Sequence, residues 1–135
     1  MHLVLDTNVV LDLLVFADPR AQVLREKLHE GALRWIATPA MRDELARVLA
    51  YPKLAPRVAF HRGNADKVLQ DFDRHARIVD APAKAPVTCG DPDDQKFIDL
   101  AVAHRCTLLS KDWEVLRMRK RLAVLQVAAV EQLPA

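Results

Sequence analysis

Three aspartates crowd into the segment DPDDQKFIDLA, where Asp91, Asp93 and Asp94 come just before an apolar stretch. Carboxylates held this close raise one another's pKa values unless a cation neutralises them. An ordinary helix start explains two of the three, because Asp91 can cap a helix with Pro92 in its first turn, and Asp93 suits the positive end of the helix dipole. Neither role accounts for Asp94.

Helical phase places Asp94 on the buried side of this predicted helix. At about 100° per residue, Phe97 and Ile98 help to define the apolar face, and Asp94 lies three and four positions before them. The helix that begins at Pro39 repeats the pattern more weakly, because Glu44 flanks its apolar stripe. An inward carboxylate is costly unless something compensates its charge, so both acids call for a bound partner.

Two further acids follow predicted strands. Asp6 comes directly after the apolar run HLVL, and Asp112 comes just after TLLS. In a parallel sheet both would emerge at the carboxyl edge, where open α/β folds bind ligands. Four acids from separate elements would then converge, and all-oxygen ligands favour Mg²⁺ or Mn²⁺ over zinc. Such a cation can activate water and polarise a phosphoryl group, which is phosphodiesterase chemistry.

Strands and helices alternate along the rest of the chain. Helices are predicted through VVLDLLVF (capped by Thr7 or Asn8), AQVLREKLHEG, PAMRDELARVLA, NADKVLQDF and DWEVLRM, whereas residues 56–63 are ambiguous. Strands are predicted at HLVLD, LRWIAT, ARIVD, CTLLS and LAVLQV. The alternation indicates an α/β protein with a parallel sheet of about five strands, covered on both faces. Trp35 and Trp113 are predicted to anchor the core or its edge.

Composition indicates one ordinary globular domain over residues 1–135. The chain is 51% hydrophobic and 28% charged, with a net charge of +2, so no strong basic field indicates nucleic acid. An aromatic content of 5% argues against interleaved aromatic readout of RNA. Two cysteines are too few for a disulfide framework, and no apolar run approaches the roughly 18 residues needed to span a bilayer. We expect a cytoplasmic protein with reduced thiols and no membrane contact.

The stretches LVLDTNVVL, DEL and DPDDQKFIDLAVAHRCTLLSKDWEVL resemble the PIN-domain family of metal-dependent ribonucleases, and more narrowly its toxins of type II toxin–antitoxin pairs. The resemblance covers essentially the whole chain in order, and LDTN after a first strand is more specific than DEL. It implies a three-layer α/β/α fold with the sheet order 3-2-1-4-5. It also implies hydrolysis of RNA phosphodiesters with Mg²⁺ or Mn²⁺, an antitoxin partner and a homodimer.

Carried over residue by residue, the resemblance implies an acidic catalytic site of Asp6, Glu44, Asp94 and Asp112. The three aspartates of that set would contact the metal directly or through water. Glu44 would hold a second ion, orient a water or act as a base. Asn8 and Ser110 would be supporting polar groups, with Ser110 standing where the family more often has threonine. Whether Asp91 or Asp93 shares the role given to Asp94 stays open.

Two surface features could meet partners. The basic segment RMRKR could contact RNA phosphates beside the metal, although cations near the negative end of a helix are an ordinary explanation. Its charged residues are Arg117, Arg119, Lys120 and Arg121. An apolar groove between VVLDLLVF and AQVLREKL would suit an amphipathic partner segment, although both stretches could equally be core or a homodimer face.

Other functions use clustered acids on α/β folds. A receiver-like phosphoacceptor switch needs paired acids after the first strand, where LDTN offers one. A haloacid-dehalogenase-type phosphatase needs an aspartate two residues after Asp6, where Asn8 stands. A non-catalytic module that binds RNA or protein on the same fold keeps the acids without the reaction. Replacing Asp6 by Asn would abolish hydrolysis in a nuclease and leave binding intact in such a module.

Overall fold

A parallel sheet of five short strands forms the centre of the protein, which we describe over residues 1–134 from a computed structural model. The strand order is β3-β2-β1-β4-β5, and every neighbouring pair is parallel. This confirms the predicted α/β class and the sheet order. The strands are β1 His2–Leu5, β2 Arg34–Ala37, β3 Ala76–Ile78, β4 Thr107–Leu109 and β5 Ala129–Val130.

Within residues 1–134, eight α-helices connect the strands, and two single-turn 3₁₀ helices, Pro19–Ala21 and Pro92–Asp94, lead directly into α2 and α6. The α-helices are α1 Thr7–Leu14, α2 Gln22–His29, α3 Pro39–Leu49, α4 Ala55–Arg62, α5 Ala65–His75, α6 Gln95–His104, α7 Trp113–Leu116 and α8 Arg119–Val124. None of the helices described is long and apolar enough to cross a membrane.

Helices cover both faces of the sheet. Successive residues of a strand point to opposite faces, yet Leu3, Val4 and Leu5 of β1 are all at most 2% exposed. Trp35 in β2 is equally buried, and its ring meets that of Phe72 on α5 edge to face, with 5.0 Å between centroids. The core anchor predicted at Trp35 is therefore confirmed.

Strand register brings the ends of β1 and β4 together. Leu5 is paired with Leu109, so the next residues, Asp6 and Ser110, leave the sheet side by side at its carboxyl edge. The Asp6 amide still donates to the Leu109 carbonyl at 3.0 Å, and the Ser110 amide donates to Val130 at 3.0 Å. The central strands thus hold both side chains before any loop begins.

Three predicted features are wrong. LAVLQV is not the last strand, because its first three residues belong to α8 and β5 begins only at Ala129. Leu122 is on the buried side of that helix, one turn after Met118, whereas Val124 is 81% exposed. Asp6, rather than Thr7 or Asn8, caps α1 by accepting from the Val9 amide. Trp113 is 64% exposed and does not anchor the core.

Candidate metal centre

Asp6 is a buried carboxylate at the end of β1, with 3% of its surface exposed. Its Oδ1 accepts from the Val9 amide at 3.0 Å, and its Oδ2 accepts from the Ser110 hydroxyl. Burial raises the pKa of Asp6, and these two hydrogen bonds oppose the rise only in part. Both oxygens are held in place, yet each keeps a lone pair directed at further ligands.

Ser110 ties two of the acids together. Its fully buried hydroxyl donates to Asp6 and accepts from the Asp112 amide at 3.0 Å. Asp112 in turn caps α7, because its Oδ1 accepts from the Glu114 amide at 2.8 Å. A strand end, a buried hydroxyl and a helix cap therefore fix the positions of Asp6 and Asp112.

Asp94 has a buried carboxylate oxygen, Oδ2, with no hydrogen-bonding partner among residues 1–134. Asp94 is the last residue of the 3₁₀ turn Pro92–Asp94. Asp91 caps this turn, as predicted, because its Oδ1 accepts from the Asp93 amide at 2.9 Å. Burial, followed by the neighbouring Asp112, raises the pKa of Asp94 to about 8. Metal-free, this side chain is therefore largely protonated at neutral pH.

Oxygens of Asp91, Asp94 and Asp112 all lie within 4.8 Å of one another. Asp6 and Glu44 line the same cavity as Asp94 and Asp112, a space of about 270 Å³ that we call the acidic cavity. The unpartnered Asp94 oxygen and an all-oxygen donor set are what a hard divalent cation such as Mg²⁺ or Mn²⁺ requires, so the residues fit such an ion. The tightest group of acids includes Asp91, which the sequence had assigned chiefly to capping.

Glu44 reaches the acidic cavity from α3, and two groups hold its carboxylate. Its Oε1 lies 2.7 Å from the Lys96 ammonium, and its Oε2 accepts from the Thr7 hydroxyl. Lys96 also donates to the Asp93 carbonyl. The cost of an inward glutamate is therefore met by a neighbouring cation and a hydroxyl, at least while no metal is bound.

Sequence reasoning missed Lys96 in this role. Two positions after an inward residue, an α-helix has turned by roughly 200°, so helical phase alone does not bring Lys96 toward the site. The flexible Lys96 side chain nevertheless reaches the Asp93 carbonyl and Glu44, which lies 52 positions earlier in the chain. A lysine two positions after the acid cluster was the available signal.

The basic segment RMRKR lies outside the lining of the acidic cavity in the part of the chain described. Arg117 follows α7 and pairs with Glu114 at 3.6 Å. Arg119, Lys120 and Arg121 form the exposed first turn of α8, the positive end of its dipole. A favourable interaction with the negative end of α8 therefore does not explain Arg119 and Lys120, whereas Arg121 also lies in its last turn. Asn8 is exposed and lines the cavity.

Comparison with known proteins identifies a family and a solved structure of similar fold. A family model described as PIN domain matches residues 2–112. A chain from the crystal structure of VapBC2 from Rickettsia felis bound to a DNA fragment from its promoter has a TM-score of 0.63. That match covers 96% of this chain and 98% of the other at 17% identity, a likeness that concerns the fold. No curated protein sequence matches the chain.

Proposed function

Because this chain belongs to the PIN domain family, we propose that it is a Mg²⁺- or Mn²⁺-dependent endoribonuclease. PIN domains are in general nucleases that use divalent metals. The observation that carries the proposal is the buried, unpartnered Oδ2 of Asp94, a residue with a carboxylate oxygen within 4.8 Å of oxygens of Asp91 and Asp112. Carboxylates this close disfavour one another's charge unless a cation or a proton neutralises it, and clusters with such perturbed pKa values concentrate at functional sites.

In the proposed reaction, Asp94 and Asp112 hold the ion, with Asp6 contacting it directly or through water. A divalent cation bound there supplies a Lewis acid that activates water and stabilises the charge that develops on the phosphoryl group. Asp94 must release its proton before it can bind. Ser110 keeps Asp6 and Asp112 at a fixed separation throughout, so the site is organised before substrate arrives.

Glu44 is proposed to orient the attacking water or to accept its proton at Oε1. The Lys96 ammonium lies 2.7 Å from that oxygen and holds its position. When RNA binds, the same ammonium can turn toward a phosphate oxygen, since a lysine side chain is flexible and carries three donors. The exposed amide of Asn8 can donate to the substrate from the rim of the cavity.

We further propose that the chain is the toxin of a type II toxin–antitoxin pair in the cytoplasm. Leu13, Leu14 and Leu28, from α1 and α2, line an apolar groove of about 320 Å³. Arg25 and Arg62 bond to the Leu13 and Leu14 carbonyls at its wall. An amphipathic segment of an antitoxin could lay its apolar face in this groove. The similar fold occurs in the VapBC2 structure named above.

The hydrolysis is tested by incubating the purified chain with a mixed pool of single-stranded RNA in Mn²⁺ and in EDTA. Wild type should cut in Mn²⁺ alone, and Asp6→Asn should reduce the rate at least about 100-fold, because the neutral amide weakens the ion's site. Equal cutting by Asp6→Asn would mean a contaminating nuclease. RNA binding without any cutting would support the non-catalytic module instead.

The partner assignments have separate tests. Light scattering of the purified chain should give twice 15.2 kDa if it is a homodimer. Coexpression with the product of the adjacent gene should yield a stable complex, and Leu28→Glu should weaken it by placing a charge in the apolar groove. A monomer, or a complex indifferent to Leu28→Glu, would contradict the corresponding assignment.

A further inference from the structure

We propose that a second cavity, lined by Arg57 and Phe16, is a nucleotide subsite in which the base next to the scissile phosphodiester stacks on the Arg57–Phe16 pair. We call it the Arg57 cavity. The inference rests on the proposed function, because it takes the acidic cavity as the place where RNA is hydrolysed.

The two cavities share walls. Asn8 and Leu54 line both the acidic cavity and the Arg57 cavity, so the second space opens directly beside the first. The Arg57 cavity has about 340 Å³, within the range of roughly 300–1,000 Å³ typical of small-molecule sites. A nucleotide whose phosphate lies at the acids can therefore place its neighbour's base here.

The Arg57–Phe16 pair offers the flat surface that a base requires. The Arg57 Cζ lies 4.2 Å from the centroid of the Phe16 ring, a cation–π contact that favours this position of the guanidinium over the ring. Guanidinium planes and aromatic rings are the groups on which bases of single-stranded nucleic acids stack, and such stacking tolerates any base.

Charge in the Arg57 cavity also favours a nucleotide. Its acids are already paired, since Asp12 lies 2.6 Å from the Lys111 ammonium and Asp18 makes a bidentate contact with Arg20. Arg57, by contrast, has no carboxylate within 4.0 Å in residues 1–134. Its uncompensated charge attracts the RNA backbone.

Aromatic rings continue from this pair toward solvent. His61 meets Phe16 edge to face at 5.6 Å between centroids, and Phe60 meets His61 at 5.1 Å. Phe60 is 85% exposed. Phe16, His61 and Phe60 thus form a run of rings that begins at the Arg57 cavity and ends at the surface. The apolar groove between α1 and α2, rather than this mixed surface, suits a protein helix.

The first test measures binding of a fluorescent single-stranded RNA in EDTA, where the proposed hydrolysis cannot occur. Arg57→Gln and Phe16→Leu should each weaken binding about ten-fold, the loss of one stacked base. Arg34→Gln is the matched control, because Arg34 is exposed at the start of β2, on the opposite edge of the sheet. Its loss should change binding less than about two-fold. Equal effects of Arg57→Gln and Arg34→Gln would overturn the proposal, leaving only general charge attraction.

The second test uses substrates with one abasic nucleotide on either side of the cleaved bond. At one of the two positions, wild type should lose about ten-fold in kcat/KM, mostly through KM. On that substrate, Arg57→Gln should show the same kcat/KM as wild type, because the base that would stack on Arg57 is already absent. Losses that multiply, or no loss at either position, would overturn the proposal.

Further outcomes distinguish failure of the nucleotide subsite from failure of the proposed RNA hydrolysis. If wild type cuts RNA while both variants bind and cut like wild type, the proposed function stands and the subsite is wrong. If wild type cuts no RNA, the hydrolysis and the position next to a scissile bond both fail, while the binding series still shows whether a base stacks on Arg57. Normal RNA binding with loss of the coexpressed protein partner would assign the cavity to that partner and overturn the subsite.

Discussion

Asp94 and Asp112 bring carboxylate oxygens within 4.8 Å of each other, and the Oδ2 of Asp94 accepts no hydrogen bond from the rest of the described chain. Two carboxylates in such an arrangement do not both ionise readily, which contributes to a pKa of about 8 for Asp94. The metal-free protein therefore carries a proton where a divalent cation fits.

The raised pKa of Asp94 predicts that metal-free protein loses stability as pH rises from about 4 to about 8. Over that range the unfolded chain has released this proton, at a pKa near 3.8, while the folded chain keeps it, so the balance shifts toward unfolding. Asp94→Asn removes this loss. In EDTA the Tm of the variant should exceed that of wild type at pH 8.5, and the difference should shrink toward pH 4. Parallel Tm curves for the two proteins would contradict the assignment.

Lys96 is predicted to stabilise the metal-free site by compensating Glu44. In Lys96→Met the Glu44 carboxylate loses its cation, which should lower the free energy of unfolding by about 1–2 kcal/mol in EDTA. Saturating Mg²⁺ should recover part of that loss. Urea titrations measure both, with Lys53→Met, an exposed lysine, as the control. Equal effects of the two substitutions would show that the Lys96–Glu44 contact contributes nothing.

Ser110 is predicted to matter through its hydroxyl. Ser110→Ala removes the donor to Asp6 and the acceptor for the Asp112 amide, and should cost about 1–3 kcal/mol of stability. Ser110→Thr keeps the hydroxyl and should bind Mn²⁺ more tightly than Ser110→Ala does. Urea unfolding and Mn²⁺ titration of both variants test this. Weaker Mn²⁺ binding by Ser110→Thr than by Ser110→Ala would contradict it.

The two tryptophans should differ sharply when replaced. Trp35→Ala removes a large side chain that is only 1% exposed, and it should lower the free energy of unfolding by about 3–5 kcal/mol. Trp113→Ala alters a side chain that is 64% exposed and should change stability by less than about 0.5 kcal/mol. Chemical denaturation of both variants measures the difference. A large loss in Trp113→Ala would mean that this ring is covered, for example by a partner subunit.

Acids placed by strands were the most predictable part of the site. Asp6 follows a short apolar run typical of a buried strand, and the carboxyl edge of a parallel sheet then gives its location. The order of the strands came from a family resemblance, because hydrophobic pattern alone does not specify which strands pair. Asp94 was found through helical phase, which held because its 3₁₀ turn continues directly into α6.

Features that depend on tertiary packing were not predictable from the pattern. The run LAVLQV is almost wholly apolar, as a buried strand is, yet only its packing next to Met118 shows that Leu122 belongs to a helix. The contact between Arg57 and Phe16 joins α4 to the end of α1, and nothing in the local sequence of either predicts it. Lys96 was missed because its partner, Glu44, lies 52 positions earlier in the chain, and the contact exists only once α3 and α6 are packed together.

The most direct test of the metal centre is a Mn²⁺ titration, followed by electron paramagnetic resonance, of wild type, Asp94→Asn and Asp93→Asn. Asp93 is an exposed neighbour with the same charge, so it is the matched control. We predict one or two bound ions in wild type, affinity at least about ten-fold lower in Asp94→Asn, and affinity close to wild type in Asp93→Asn. Unchanged binding in Asp94→Asn, or a larger loss in Asp93→Asn, would contradict the central claim that the inward carboxylate of Asp94 holds the cation.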